Sequence, residues 1–388
     1  MTPLHVMVVM GTRPEAIKLA PIILDLGRHP AGFRVSVVAT AQHREMLDQV
    51  LNLFAITPDR DLDIMRPGQT LTEITVRSLQ GLESVMTELK PELVVLQGDT
   101  TTVFTGGLAA YYARLPVGHV EAGLRTSDKY RPYPEEINRR LAGVLTDLHF
   151  APTPGARSNL LREGVSAQSI FVTGNPVIDA LHWVADQPEP EGSADLEWVR
   201  ERGGRLILVT AHRRESWGEP LREVCRALRD LVEQFPEVHV LYAVHRNPLV
   251  RQVAEQELSN LERVRLADPP DYRLFVALMK RSYLILTDSG GVQEEAPALG
   301  VPVVVLREVT ERPEAVTAGS VLLAGTDRAR IVELAGKILS DRTEWKRMSQ
   351  AINPYGDGRA ARRIREAILF HFGRRPNRPD TFGGTSDD

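Results

Sequence analysis

The chain has 388 residues, 43% of them apolar, more than one hydrophobic core normally holds, so two domains are expected. Its 47 basic and 51 acidic residues are evenly spread and leave a formal net charge of −4, which argues against a nucleic-acid or membrane-binding face and for a small-molecule partner. Cys225 is the only cysteine, so no internal disulfide and no cysteine metal cluster can form, a usage that fits a reducing compartment.

The opening MTPLHVMVVMGTRPE lacks a basic n-region and a small-residue cleavage site. No apolar run approaches the ~18 residues needed to cross a bilayer, and a cytoplasmic location is expected. Short β-branched runs then recur with turn residues at their ends: HVMVVM, FRVSVVAT, ELVVLQGD, PVGHVEA, LHFAP and SIFVTGNP. Longer periodic segments separate them. This alternation predicts βαβ units and a parallel sheet covered by helices on both faces. After Trp183 the stretch VADQPEPEGSADLEW, rich in proline and acid, predicts a linker. A second series follows: RLILVTAH, VHVLYAVH, RVRLADP, YLILTDSGG, VPVVVLRE and SVLLAG. The fold class expected is α/β, with two doubly wound Rossmann-like domains at 1–183 and 198–355. A last helix near Gly358 to Phe372 precedes RRPNRPDTFGGTSDD, a tail at 374–388 too polar to order.

Ligands of open parallel sheets bind beyond the carboxyl ends of the strands, and unusual polar residues collect there. GTRPE, AQHRE, GDTTT, EAGLRT and GNPVID follow strands of the first half; AHRRE, HRNP, DPPDY, DSGGVQEE and LREVTERPE follow those of the second. Two such edges facing each other would line one interdomain cleft. In DSGGVQEE, Ser289, Gly290 and Gly291 open a helix whose outward amides suit phosphate, with Glu295 one turn on as a partner for ribose hydroxyls. An ordinary tight turn is the alternative there. In GTRPEAIKLAP, Thr12 and Glu15 have capping-box spacing and Pro14 lies in the first turn, which leaves Arg13 and Lys18 as phosphate partners or as a solvated face.

Carboxylates gathered near one another can divide acid and base roles, and Asp99, Glu121 and Glu135 form such a candidate set. Asp99 and Glu121 end consecutive strands. The competing reading is that Glu121 is a solvated turn and that Arg125, Arg139 and Arg140 tie these acids into an ion-pair network. His212, at the end of the second half's first strand, is either a ligand for a leaving phosphate or a core histidine.

Taken together, GTRPEAIKLAP, TAQHREMLDQVL, LQGDTTT, VGHVEAGLRT, YPEEINRR, GNPVIDAL, TAHRRESWG, LTDSGGVQEEAP, TERPEAVTAG and NPYGDG resemble the non-hydrolysing UDP-N-acetylglucosamine 2-epimerases, over roughly residues 4 to 370. The resemblance implies a glycosyltransferase-B-like fold whose C-terminal helix, 356–373, crosses back onto the first domain. It implies interconversion of UDP-GlcNAc and UDP-ManNAc for cell-surface polysaccharide, through elimination of UDP to 2-acetamidoglucal and re-addition. Matching motifs put Asp99, Glu121 and Glu135 in the acid/base and charge-stabilising roles. His212, Arg13, Lys18, Ser289, Gly290, Gly291 and Arg312 carry over as diphosphate contacts, Glu295 as the ribose contact and Phe275 as a uracil contact. Neither metal nor nicotinamide is expected, and a homodimer is. Hydrolysing relatives carry GDR where this chain has GDTTT and lack EAGLRT, so the chain follows the non-hydrolysing pattern. A second UDP-GlcNAc as activator is implied by Gln42, His43 and Gln69. A retaining glycosyltransferase would use the same fold but need an acceptor site, and a non-catalytic nucleotide-sugar sensor would tolerate loss of Asp99 and Glu121.

Overall fold

The structure is a computed structural model describing residues 2–40, 44–126, 128–213 and 216–383, with backbone alone at 44–46. It divides into two compact units, one of residues 1–180 with 355–388 and one of 181–354. Both are wholly parallel, doubly wound α/β units.

The first unit runs β1 (Leu4–Met10), α1 (Arg13–Gly27), β2 (Phe33–Ala39), α2 (Arg44–Leu53), β3 (Arg60–Asp61), α3 (Leu71–Leu89), β4 (Leu93–Gln97) and α4 (Thr101–Tyr112). It continues through β5 (Val117–Val120), α5 (Glu135–Leu145), β6 (Leu148–Ala151), α6 (Pro154–Arg162), β7 (Ile170–Val172) and the first half of α7 (Pro176–Ala185), within which the unit boundary falls. Its sheet order is β3-β2-β1-β4-β5-β6-β7. All seven residues of β1 are buried, which is why that strand reads, His5 apart, as a continuous apolar run rather than an alternating one. The six expected strands are present. The seventh, β3, is two exposed charged residues on the sheet edge and carries no hydrophobic signal.

The second unit holds α8 (Ala194–Arg202), β8 (Arg205–Thr210), α9 (Glu219–Gln234), β9 (Val238–Ala243), α10 (Pro248–Leu258), β10 (Val264–Ala267), α11 (Tyr272–Arg281) and β11 (Ser282–Thr287). After these come α12 (Gly290–Ala298), β12 (Val303–Val305), α13 (Pro313–Ala318), β13 (Val321–Leu323), α14 (Arg328–Ser340) and α15 (Arg342–Ser349). The sheet order is β10-β9-β8-β11-β12-β13. On α9 the buried residues Leu221, Val224, Cys225, Leu228, Leu231 and Val232 make the 3.6-period stripe that covers this sheet. Burial pushes the Cys225 thiol up to about 12, so it is a core group and not a nucleophile.

In each unit the strand order reverses at one place, between β1 and β4 and between β8 and β11. The last helix, α16 (Ala360–His371), belongs to the first unit and packs on α1. Asp179 on α7 anchors its start by accepting the Ala360 and Ala361 amides at 3.1 and 2.9 Å. Burial raises the Asp179 carboxyl to about 6 against those amides.

The expected linker has partners, and the expectation of a disordered tail fails over 374–383. The proline-rich stretch after Trp183 is fastened within the second unit: Glu189 accepts from Arg281 Nε at 2.8 Å, and Ala185 O from Lys280 Nζ at 2.9 Å. The start of the tail, 374–383, is ordered by contacts that its composition hides. Phe382 is buried and its amide donates to Val172 O at 2.9 Å, Asp380 pairs with buried Arg363 at 3.0 Å, and the Arg378 guanidinium lies 4.3 Å over the Phe171 ring. Among the described residues no helix is long and apolar enough to cross a membrane.

Candidate active site

Open parallel sheets bind ligands where strand order reverses, beyond the carboxyl ends of the strands. In the first unit that place is the loop after β1, Gly11 and Thr12, beside the loop after β4, Gly98 and Asp99. Gly11 is required: an added Cβ would overlap the hydroxyls of Thr40 and Thr102, which bond each other at 2.9 Å. The buried Glu15 accepts from the Gly11 and Thr12 amides, both at 2.7 Å, and from the Thr100 hydroxyl. It thereby joins the β1 and β4 loops. Burial holds its carboxyl above the ordinary range, with those hydrogen bonds opposing. Arg13, next to this cap, is half-buried and has no side-chain hydrogen bond or ion pair among the described residues.

Glu121 follows β5 and has φ +65°, a left-handed conformation that costs a non-glycine residue about 1–3 kcal/mol. It is therefore a turn residue, yet not a solvated one. Its carboxylate is 8% exposed and receives Lys18 Nζ at 2.9 and 2.7 Å, Asn175 Nδ2 at 3.1 Å and Gln97 Nε2. The glycine that follows is equally constrained, because Gly123 has φ +91° and a Cβ there would run into the Ala156 carbonyl. Lys18, expected at a phosphate, instead grips this carboxylate.

Asp99 is paired with Arg139. Glu135, first in α5, is half-buried and has no side-chain partner among the described residues. The ion-pair hub of these loops is its neighbour Glu136, fully buried, which accepts from Arg140 Nε at 2.8 Å and from the Thr126 amide at 3.1 Å, with Arg139 Nη1 at 3.5 Å. Arg125 goes to Glu163, with 2.8 and 2.7 Å bonds. The arginine network is thus real, but it engages Glu136 and Glu163 and, of the three candidate acids, only Asp99.

In the second unit the reversal lies between β8 and β11, where His212 and Asp288 end neighbouring strands. Asp288 is fully buried and accepts the His212 and Arg213 amides at 2.7 and 2.8 Å. His212 Nδ1 stands 3.0 Å from Asp288 Oδ1, a contact of ion-pair distance without hydrogen-bond alignment. The imidazole is exposed, which excludes the core reading. Ser289 is the N-cap of α12, and its own amide donates to the Thr287 hydroxyl at 3.0 Å. A Cβ on Gly290 would meet nothing within 4 Å, so the first turn of α12 is open to an approaching group. Glu295, inside α12, is buried and accepts from Tyr272 at 2.6 Å, while Phe275 is one turn along α11 from that tyrosine. Arg312 pairs through Nε with buried Glu294.

Of the residues tied to an activator, Gln42 and His43 lie outside the described residues. Gln69 closes its own turn, accepting from the Arg66 amide at 3.1 Å. Sequence reading missed Gln97, Asn175, Glu136 and Asp288. Asn175 and Asp288 stand in quoted strand-end motifs, so position alone marked them; Gln97 lies within its strand, and nothing in sequence tells Glu136 from Glu135.

The chain matches the family model described as UDP-N-acetylglucosamine 2-epimerase over residues 25–369. It is 52% identical over 384 residues to the UDP-N-acetylglucosamine 2-epimerase of Bacillus subtilis (strain 168), covering 99% of this chain and 100% of that protein. To the enzyme of the same name from Escherichia coli (strain K12) it is 54% identical over 371 residues, 94% of this chain and 98% of the other. A solved structure of the UDP-GlcNAc 2-epimerase from Neisseria meningitidis, bound to UDP-GlcNAc, superposes with a TM-score of 0.86 at 45% identity, over 95% of this chain and 100% of that one.

Proposed function

This chain belongs to the UDP-N-acetylglucosamine 2-epimerase family of isomerases, and we propose that it interconverts UDP-GlcNAc and UDP-ManNAc by eliminating and re-adding UDP, supplying cell-surface polysaccharide synthesis. The observation that carries this reading is the Glu121 carboxylate, held buried at a strand end by Lys18, Gln97 and Asn175, with Asp99 ending the adjacent strand. The C2 hydrogen of the sugar is next to neither a carbonyl nor a stabilised anion, so direct deprotonation is closed. Breaking the C1–O bond first builds oxocarbenium charge at C1, which acidifies C2. The C1–O electron pair leaves with UDP, a base takes the C2 proton, and the C2–H pair becomes the double bond of 2-acetamidoglucal. A proton delivered to the opposite face of C2 regenerates the cation, and UDP returns to C1.

The carboxylates Asp99, Glu121 and Glu135 serve the two faces and the developing charge. Lys18 donates to both oxygens of Glu121, and Arg139 orients Asp99. The second unit supplies UDP contacts: the amides of Ser289, Gly290 and Gly291 at the positive end of α12 with Arg312 and His212 for the diphosphate, Glu295 for ribose and Phe275 for uracil. Asp288, by fixing the His212 and Arg213 amides, sets where the imidazole stands.

The experiment is incubation with UDP-GlcNAc in deuterated water. UDP-ManNAc carrying deuterium at C2 is expected, with 2-acetamidoglucal as a minor leaked product. UDP-ManNAc without C2 deuterium overturns the mechanism. Free ManNAc released with stoichiometric UDP places the chain with hydrolysing enzymes, and an unchanged sugar nucleotide with protium at C2 supports a transferase or a sensor.

A further inference from the structure

One buried group at the first unit's strand ends is unused by this mechanism. His119 is the third residue of β5, 1% exposed, and its Nε2 lies 2.7 Å from Gly98 O. A carbonyl only accepts, so Nε2 carries the proton. Nδ1 has no partner among the described residues, and burial drives the ring pKa down, which leaves one neutral tautomer. The Gly98 amide is also held, donating to Val120 O at 3.0 Å. Gly98 sits at φ +83°, a conformation open to glycine, and both of its backbone polar groups are held, the amide by Val120 O and the carbonyl by His119. The residue after it is Asp99, and two residues beyond His119 is Glu121. One imidazole therefore couples the backbones that carry two of the three candidate acids. His149 on β6 stands in register with His119, and burial lowers its ring pKa to about 3.

Resting on the epimerase reading, we propose that His119 is a positioning residue: its Nε2–H holds the Gly98 carbonyl and thereby fixes the peptide from which Asp99 projects, at a set separation from Glu121. It touches no substrate. It acts through Asp99.

The test compares His119→Leu, His119→Gln and His119→Leu combined with Asp99→Asn, using UDP-GlcNAc as substrate and circular dichroism to establish folding. Leucine keeps bulk and removes the donor, whereas the glutamine amide nitrogen reaches about as far as Nε2. His119→Leu should lower kcat about 10²-fold, the scale of a misplaced group, with KM changed less than about threefold. His119→Gln should recover kcat to within about tenfold of wild type. On the Asp99→Asn background the leucine should cost nothing further, since residues acting as a unit are not additive. Wild-type kcat in folded His119→Leu, or an equal loss with and without Asp99, overturns the proposal. If His119→Leu does not fold, a folded His119→Gln that loses about 10²-fold in kcat overturns it. A wild-type protein without epimerase activity overturns both the functional reading and this inference, whereas an active wild type with an unaffected leucine variant overturns the inference alone.

Discussion

Lys18 Nζ contacts both oxygens of Glu121, at 2.9 and 2.7 Å, across 103 residues of chain. The side chains are 17% and 6% exposed, so the pair is largely removed from water, where an unpartnered carboxylate is costly. This contact sets Lys18, a residue its motif had assigned to the diphosphate, against the acid/base candidate.

Lys18→Met should therefore lower kcat by about 10²-fold, a typical contribution of a positioned acid or base, while leaving UDP affinity near wild type. Calorimetric titration with UDP beside steady-state kinetics checks this. A variant with lost UDP affinity and intact kcat returns Lys18 to the diphosphate.

Asp99→Asn, Glu121→Gln and Glu135→Gln should each lower turnover by about 10²–10⁴-fold with the fold retained. Glu136→Gln is the internal control. Its carboxylate is wholly buried among Arg139, Arg140 and the Thr126 amide, so the amide should lower the melting temperature more than it lowers kcat. Near-normal turnover in the three candidate acids would remove the catalytic assignment.

The same substitution at two glycines should have opposite consequences. Gly123→Ala meets the Ala156 carbonyl at φ +91° and should destabilise by about 2–4 kcal/mol, measured by denaturant unfolding. Gly290→Ala meets nothing, so stability should stay within about 1 kcal/mol, whereas UDP affinity should fall because the new methyl occupies the diphosphate approach. Unchanged UDP affinity in Gly290→Ala counts against α12 as the phosphate site.

Asp179 gives a pH dependence with a definite sign. Its folded carboxyl is raised from 3.8 to about 6 by burial, so between these values the folded state binds more proton than the unfolded state. Stability from this group is full below about pH 4 and is lost as pH rises through about 6, by roughly 3 kcal/mol. The difference in unfolding free energy between wild type and Asp179→Asn should change over this window. A difference flat in pH would contradict the raised carboxyl.

Much of the fold was legible because parallel strands covered on both faces are mostly apolar and β-branched, and both series of six runs stand out for that reason. The two-residue edge strand β3 was not, since exposed charged residues carry no periodicity. The tail was misread over 374–383 because composition counts polarity but not partners: Asp380 is tied to the buried Arg363 and Phe382 is buried.

The candidate site divides in the same way. Sequence alone determined which residues stand at the strand ends, because strand length and turn chemistry place Gly11, Asp99, Glu121, His212 and Ser289 just beyond apolar runs. Only the tertiary structure decided what each charged group faces. Lys18 meets Glu121, Arg312 meets Glu294, Glu136 rather than Glu135 anchors the arginines, and His119 reaches back to Gly98. The physical reason is that side-chain partners are set by which strands lie adjacent in the sheet and which helix crosses them. The order β2-β1-β4-β5 brings together residues a hundred positions apart, and local pattern contains no term for that separation.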